Sequence, residues 1–186
     1  MTALSAYEAA VRLAGCLDED GLDYAIGGAL ALAALGVVRA TKDVDISMFA
    51  ADGPRIFDAL ERAGAIVDRA DATRALARIG MFTARMGKVL VDVFAGDHPH
   101  AAATRARRVR LADSTGRELW YCSAEDLVIT KLFFGRDKDV IDLGQLYARL
   151  HDRLDRPYVR DWIVQMVPAA DRRLAILDDL ERRFPT

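Results

Sequence analysis

A buried strand, two consecutive glycines and a short apolar helix follow one another near the N-terminus. Leu22 to Ile26 is an apolar run of strand length, Gly27-Gly28 interrupts it, and Ala29 to Leu35 has the alanine and leucine content of a helix. Glycines at such a turn let the backbone approach a phosphate, and a helix N-terminus offers free N–H groups. A tight turn that needs a positive φ would explain the same glycines. Alone, the pair fits either role.

Two aspartates alternate with apolar residues in the next predicted strand, Asp43 to Phe49. Residues i and i+2 of a strand point to the same face, so Asp43 and Asp45 lie side by side. Close carboxylates repel each other, and a divalent cation removes that cost. Ligands that are all oxygen favour Mg²⁺ or Mn²⁺ over zinc. The alternative is an exposed strand face with two solvated aspartates.

A third carboxylate interrupts a later apolar strand. Asp92 stands between valines in the run Val89 to Phe94. An aspartate there is costly to bury without a partner. Across the sheet from Asp43 and Asp45 it would complete a two-metal site, and on a half-exposed strand it would simply face water.

The combination resembles the signature of the DNA polymerase β nucleotidyltransferase superfamily, which is a hydrophobic-Gly-Gly/Ser turn, an Asp-hydrophobic-Asp/Glu strand and a later Asp. The corresponding segments are Ile26 to Ala29, Asp43 to Ile46, and Asp92. Ser123 to Lys131 and Gly135 to Asp142 resemble a motif of small bacterial members, namely AbiEii/MenT-type toxins of toxin–antitoxin systems and relatives similar to aminoglycoside nucleotidyltransferases. The toxins often have Gly-Ser where this chain has Gly-Gly.

The resemblance implies an α+β nucleotidyltransferase fold, which is a mixed β-sheet with flanking helices followed by a C-terminal helical segment. It also implies that an NTP places its triphosphate over Gly27-Gly28. Asp43, Asp45 and Asp92 would then hold two Mg²⁺ ions, and Asp92 would help to take the proton of an acceptor hydroxyl. That hydroxyl would attack the α-phosphate in line, and pyrophosphate would leave. We assign catalytic roles to these three aspartates and to Lys131.

Two further groups of residues are predicted to bind the nucleotide. The first precedes the metal strand and the second forms a Lys-Asp-x-x-Asp cluster; they are Arg39, Thr41 and Lys42, and Lys138, Asp139 and Asp142. Lys131 and Lys138 are the candidates for holding the triphosphate. Their structural alternatives are an exposed helix lysine for Lys131 and an i,i+4 pair with Asp142 for Lys138. His98 and His100 are predicted to lie in a loop without a metal role.

The remaining pattern predicts helices and hairpins around this motif. A capping box, Ser5 to Glu8, opens a helix that ends near Asp20. The other predicted elements are a helix from Asp52, a strand from Ala65 to Asp68, hairpins at Gly87-Lys88 and at 113–116, and helices from Ser123, after Asp137, at 158–167 and at 169–183. We expect a catalytic core over residues 1–122 and a helical part over 123–186, packed as one unit.

The charge pattern leaves the acceptor open. Net charge is −2, so the chain as a whole is not a basic nucleic-acid binder. The arginine run Arg105 to Arg110 fits either a solvated face or a phosphate contact with tRNA. Asp137, Asp139 and Asp142 would instead suit a cationic antibiotic. The same pattern is compatible with a protein acceptor, with a cognate antitoxin as partner, and with a non-catalytic nucleotide- or partner-binding module.

Cysteine use and apolar runs indicate a cytoplasmic protein. Cys16 and Cys122 have no metal-ligand spacing and fit small buried residues in a reducing compartment. No basic-then-apolar leader is evident, and the run Ala29 to Val38 is too short to span a bilayer. We therefore expect no membrane partner.

Overall fold

A computed structural model describes residues 4–49, 52–113 and 115–185. Within these ranges the chain forms nine α-helices and one six-stranded mixed sheet. The elements are α1 (Ala6–Glu19), β1 (Tyr24–Ile26), α2 (Gly28–Ala34), β2 (Asp43–Met48), α3 (Gly53–Arg62), α4 (Arg69–Ile79), β3 (Met81–Met86), β4 (Val89–Phe94), α5 (Pro99–Arg107), β5 (Val109–Ala112), β6 (Glu118–Tyr121), α6 (Ala124–Phe134), α7 (Asp137–Leu150), α8 (Arg156–Met166) and α9 (Arg172–Arg183).

The strand order is β3-β4-β2-β1-β6-β5. Two antiparallel hairpins, β3/β4 and β5/β6, lie at the edges, and β1 pairs antiparallel with β2. β2 pairs parallel with β4, and β1 pairs parallel with β6. The predicted mixed sheet is therefore confirmed, and its topology places the strand of Asp43 and Asp45 directly beside the strand of Asp92.

Alternating burial gives the sheet one packed face and one face that carries the polar residues. In β2 and β4 every second residue is buried, and Val44, Ile46, Val91 and Val93 are completely buried. On the packed face, Phe57 of α3 meets Phe82 of β3 edge-on, with ring centroids 5.3 Å apart. The opposite face carries the aspartates and is partly covered by α6.

Side-chain caps fix where several helices begin. Ser5 and Glu8 form the predicted capping box, in which Glu8 N–H donates to Ser5 Oγ and Ser5 N–H donates to the Glu8 carboxylate. Ser123 caps α6 by accepting from Asp126 N–H. Such a cap typically contributes about 1 kcal/mol to helix stability. The start of α6 is important because this helix borders the site.

The structure differs from the prediction in two regions, the segment between β2 and β3 and the segment after Asp92. Ala65 to Asp68 is not a strand, since only Ile66 forms an isolated bridge, with Arg85. α4 and α5 were not predicted. α4 has Ala72 as its one buried residue, so it lacks an apolar stripe, and α5 begins at Pro99 in a segment that we interpreted as loop.

The C-terminal third is helical, as predicted. α6 packs against α7, α8, α9 and α2, which joins these helices to the core of the sheet. Leu132, Leu143 and Ile163 are completely buried in this layer. In the described part of the chain, none of the helices has the length and apolar character needed to cross a membrane.

Candidate active site

The three aspartates lie together on the open face of the sheet. Asp45 of β2 is directly paired in register with Asp92 of β4, and Asp43 lies two residues earlier on the same face as Asp45. Thr83 of β3, the register partner of Asp92 on its other side, donates its hydroxyl hydrogen to Asp92 Oδ1 over 2.6 Å. The grouping that the sequence predicted for these carboxylates is thus produced by the parallel pairing of β2 and β4.

Gly27 and Gly28 pack against the backbone and side chain of Asp45. Gly27 N–H donates to the Asp45 carbonyl oxygen over 2.8 Å. Gly28 has φ +54°, and a Cβ atom there would lie 2.6 Å from Cγ of Asp45 and overlap its Oδ2. Glycine at position 28 is therefore required both by backbone conformation and by space. At position 27 a Cβ would make only ordinary contacts, 3.7 Å from Asp45 Cβ.

Asp45 is the carboxylate whose ionisation the surroundings oppose. Burial raises the pKa of Asp45 above its ordinary value, and the negative charges of Asp92 and Asp43 raise it further. The positive charges of Lys131 and Lys138 act in the opposite direction. A cation near Asp45 would therefore favour the ionised form.

Lys131 is a buried lysine held between two buried aspartates. Its Nζ donates to Asp142 Oδ2 over 2.6 Å and lies 3.5 Å from Asp139 Oδ1, and only 7% of the residue is exposed. The alternative of an exposed helix lysine is therefore wrong. The alternative of an i,i+4 pair between Lys138 and Asp142 is also wrong, because Asp142 pairs with Lys131. Lys138 is exposed and borders the cleft.

Asp139 and Asp142 each form ion pairs with cationic side chains, and each residue is only 1% exposed. Arg136 Nε donates to Asp139 Oδ2 over 2.6 Å. Burial raises the pKa of Asp139, but the hydrogen bond from Arg136 and the charge of Lys131 outweigh it, and the pKa lies below its ordinary value. Asp139 borders the cleft beside Asp45, whereas Asp142 lies behind Lys131.

The segment before β2 contributes two of its three predicted residues to the cleft. Arg39 and Thr41 border it, and Arg39 Nε lies 3.7 Å from Asp142 Oδ1. Thr41 exchanges hydrogen bonds of 3.2 Å with the backbone of Asp43, which fixes the entry to the strand. Lys42 is exposed and is not among the residues that border the cleft.

Apart from Lys42 and Asp142, these groups open into one cleft of about 420 Å³, within the range usual for ligand sites. Its polar end contains the aspartates, the glycine turn and Lys131. Away from them its walls are largely apolar and aromatic, and Phe94 of β4 packs against Phe134 of α6 with ring centroids 6.2 Å apart.

A second polar cluster at the apolar end of the cleft was missed by the sequence reasoning. His100 lies in α5 rather than in a loop, borders the cleft, and its Nε2 is 3.0 Å from Asp126 Oδ1. The buried Asp126 carboxylate also accepts the hydroxyls of Ser123, over 2.7 Å, and Tyr158, over 2.8 Å. Burial and this hydrogen bond raise the pKa of Tyr158. Three helices meet at Asp126, and no local pattern shows this.

The arginine run after His100 is occupied by ion pairs. Arg105 and Arg108 both bind Asp23. Arg107 lies 3.6 Å from a carboxylate oxygen of Glu125. Arg110 pairs with Glu118 across the β5/β6 hairpin. The side chains of Arg105 and Arg110 are about half exposed, as on a solvated face, whereas that of Arg108 is largely buried.

The chemistry of the donor set fits a divalent cation. Three carboxylates from two adjacent strands offer oxygen ligands, and a positive charge would offset the repulsion that raises the pKa of Asp45. In the described residues, however, no three acidic, histidine or cysteine side chains already converge on one metal position. The number of ions stays a prediction.

Over residues 8–181 the chain matches a protein family described as a nucleotidyltransferase of unknown function, DUF6036. The chain belongs to this family. It is therefore a nucleotidyltransferase, which confirms the predicted enzyme class. No curated protein matches it in sequence. The predicted likeness to AbiEii/MenT-type toxins stays a prediction.

Solved structures of nucleotidyltransferases share the fold of this DUF6036 protein. The solution structure of the antibiotic-resistance factor ANT(2'')-Ia has TM-score 0.60 and 16% identity, over 94% of this chain and 96% of that one. Its crystal structure with adenylyl-2''-tobramycin has TM-score 0.52 and 16% identity, over 94% and 95%. An antigenic nucleotidyltransferase-like protein from Paracoccidioides brasiliensis has TM-score 0.54 and 20% identity, over 98% and 91%. At these identities the likeness shows the fold.

Proposed function

We propose that this enzyme transfers an NMP group from an NTP to an acceptor hydroxyl in the presence of Mg²⁺ and releases pyrophosphate. The observation that carries the proposal is the grouping of Asp43, Asp45 and Asp92 on one sheet face, with Gly28 packed against Asp45. Lys131 supports it, because its charge acts on Asp45 from α6. The reaction consumes an NTP, and we place it in the cytoplasm.

The reaction forms one bond and breaks one. The acceptor oxygen bonds to the α-phosphorus, and the bond from that phosphorus to the oxygen shared with the β-phosphate breaks. Pyrophosphate leaves with the bonding electron pair, and the hydroxyl proton passes to Asp92 or to solvent. We assign this proton to Asp92 because its carboxylate borders the cleft and keeps one oxygen, Oδ2, apart from the Thr83 hydrogen bond.

The chain's own residues position the triphosphate. The Gly27-Gly28 turn presents backbone without side chains at the start of α2. Lys138 is exposed at the cleft, and Lys131 and Arg39 border it with Asp142 behind them. Because Asp142 is buried, we reassign it from direct nucleotide contact to holding these cations in place. Asp139 acts in the same way on Arg136.

Mg²⁺, or Mn²⁺ in its place, would supply neutralisation of the triphosphate charge and of the leaving pyrophosphate. Asp43, Asp45 and Asp92 are the residues that would hold it. Burial of Asp45 among like charges makes its carboxylate a group that gains from a nearby cation.

The test is transfer of label from [α-³²P]NTPs with Asp43→Asn, Asp45→Asn and the control Asp137→Asn. Asp137 is an exposed acidic residue at the start of α7 that does not border the cleft. We expect both strand variants to lose label transfer and pyrophosphate release, with the control retaining them. Full transfer by both strand variants would sink the proposal. Tight NTP binding by the wild type without pyrophosphate release would instead indicate a non-catalytic binding module.

The residues that favoured a tRNA or a cationic antibiotic as acceptor are largely engaged in other interactions. A tRNA acceptor was to bind the arginine run, but those arginines pair with carboxylates such as Asp23 and Glu118. A cationic antibiotic, as tobramycin is for the structurally similar ANT(2'')-Ia, was to bind Asp137, Asp139 and Asp142. Asp139 and Asp142 are paired with cations, and Asp137 does not border the cleft. A toxin role, with or without a cognate antitoxin, predicts growth arrest on induced expression that Asp43→Asn abolishes.

A further inference from the structure

The electrostatics of the cleft argue against a highly charged acceptor. Among the described residues that border it, the carboxylates are Asp43, Asp45, Asp92 and Asp139. Asp139 is bound by Arg136 and Lys131, and the other three form the reaction centre. No carboxylate of this set is left over to bind a second or third positive charge on an acceptor.

The arginines at the C-terminal end of α5 do not border the cleft, and they are equally committed. Arg107 lies 4.1 Å above the ring of Tyr158 and near Glu125, and Arg108 lies 4.4 Å above the ring of Trp120 and binds Asp23. A polyphosphate backbone would have to displace these interactions to gain contacts. Of the cations that do border the cleft in the described chain, Arg39 and Lys131 pair with Asp142, Arg136 pairs with Asp139, and Lys138 is assigned above to the triphosphate. None of them is left over for a polyanionic acceptor.

The part of the cleft near α5 contains apolar surface and one largely buried imidazole, that of His100. Phe94, Phe134 and Met166 contribute walls, and Phe133 beside them is 46% exposed. His100 borders the same space with 11% of its side chain exposed.

The ring of His100 is held in one orientation. Nε2 donates to Asp126, which also binds Ser123 and Tyr158, and Trp162 packs edge-on against the imidazole with centroids 4.9 Å apart. Nδ1 of His100 has no hydrogen-bond partner among the residues that the structure describes. A ring fixed on one side by Asp126 thus presents one nitrogen to a molecule in the cleft.

We infer that the acceptor is a small uncharged hydroxyl compound with an aromatic or apolar body, which packs on Phe94 and Phe134 and hydrogen-bonds to Nδ1 of His100. This inference rests on the proposed NMP transfer and specifies its acceptor class. Apolar walls supply affinity through burial, and the single imidazole supplies orientation. Asp126 is a positioning residue, because it acts through His100.

Binding of a model acceptor tests this inference independently of catalysis. Tyrosol, an uncharged aromatic alcohol, is titrated into the enzyme while the imidazole ¹³C signals of its three histidines are followed. Tyramine has an ammonium group in place of the alcohol and is the comparison of matched shape that carries one positive charge, and tobramycin is the polycation. We expect tyrosol to shift the His100 signal saturably and to bind at least tenfold more tightly than either amine. The signal of His151, which contacts Tyr147 and Phe184 away from the cleft, should stay in place.

Two substitutions probe the ring itself. His100→Phe keeps an aromatic ring beside Trp162 and removes both nitrogens, whereas His100→Gln keeps a donor for Asp126 and removes the ring. We expect each to weaken tyrosol binding at least fivefold with unchanged NTP binding, and His151→Asn, at a position that does not border the cleft, to leave both unchanged. A folded His100→Gln protein would give the answer if His100→Phe does not fold.

Several outcomes would overturn the inference. They are tighter binding of tobramycin or tyramine than of tyrosol, no saturable shift of His100, or wild-type tyrosol binding by the folded variants. Label transferred from [α-³²P]NTPs to total RNA or to protein, and not to uncharged small alcohols, would overturn it while leaving NMP transfer itself intact. Absence of any transfer, with tyrosol binding as expected, would count against the proposed function alone.

Discussion

The α-carbon of Gly28 faces the carboxylate of Asp45 so closely that a methyl group on it would overlap Oδ2. The glycine turn and β2 are thereby fitted to each other, since Gly27 N–H also donates to the Asp45 carbonyl oxygen. The motif residues depend on one another through contact in three dimensions, across a separation of 17 positions.

Gly28→Ala should inactivate the enzyme with a measurable loss of stability. The new Cβ displaces the Asp45 carboxylate, and a left-handed φ costs an L-residue roughly 1–2 kcal/mol. Gly27→Ala is the matched control, because its Cβ would meet only ordinary contacts. Rates of pyrophosphate release and urea midpoints measure both effects. Equal activity of the two variants would show that the Gly28–Asp45 contact has no role in the reaction.

Asp142→Asn should weaken NTP binding although Asp142 does not border the cleft. Its loss leaves Lys131 with Asp139 as a more distant partner, and removing one member of a buried ion pair typically destabilises by about 3–5 kcal/mol. We expect a KM for NTP raised more than kcat is lowered, and a lower urea midpoint. Asp137→Asn on the same helix should change neither, and an unchanged KM in Asp142→Asn would contradict the supporting role.

Asp45→Asn should stabilise the protein at neutral pH while it abolishes activity. The pKa of Asp45 is higher in the folded chain than in the unfolded chain, so the folded chain binds this proton more tightly and ionisation lowers the free energy of unfolding. That cost is absent below the unfolded pKa of about 3.9 and is complete above the raised folded pKa. The gain in Tm over wild type should therefore shrink as the pH is lowered.

Added Mg²⁺ should reduce or reverse the Tm advantage of Asp45→Asn over the wild type. A cation bound by Asp45 removes the repulsion from Asp43 and Asp92, so added Mg²⁺ should raise the Tm of the wild type more than that of Asp45→Asn. Equal shifts in the two proteins would indicate that Asp45 does not bind the cation. This readout does not depend on knowing the acceptor.

Cys122 should resist alkylation in the folded protein. Burial, followed by the charge of Asp126, raises the pKa of its thiol to about 12, so hardly any reactive thiolate exists at neutral pH. Cys16 is only partly buried and should react first. Mass spectrometry of iodoacetamide-treated protein should show one modified cysteine, and none in Cys16→Ser. Rapid modification of Cys122 in Cys16→Ser would mean that α6 and β6 open readily at the cleft.

The sequence predicted the grouping of the aspartates with the glycine turn because the signals for it are local. The alternation in β2 and β4 places Asp43, Asp45 and Asp92 on predictable faces, and Gly28 lies where strand gives way to helix. The parallel pairing that joins the two strands needed the family resemblance, since no local pattern specifies which strands become neighbours.

The remainder of the site depends on tertiary packing. The i,i+4 spacing suggested that Lys138 pairs with Asp142, yet Lys131 from the preceding helix takes that place, because α6 and α7 pack together. No functional role was predicted for His100, because Pro99 and the alanines around it gave α5 no apolar stripe and the segment was interpreted as a loop. Its significance comes from Asp126, which lies 26 residues further along the chain.

One helix, α6, carries both Asp126, which orients His100, and Lys131, which faces the aspartates. Each residue of an α-helix turns by roughly 100°, so an insertion or deletion of one residue between them would rotate one contact away from its target. Under the proposed function, the spacing of these two residues along α6 therefore fixes the distance between the nucleotide and its acceptor. Substitutions that enlarge the apolar part of the cleft can therefore change its wall residues, but they must keep the five-residue spacing between Asp126 and Lys131 along α6.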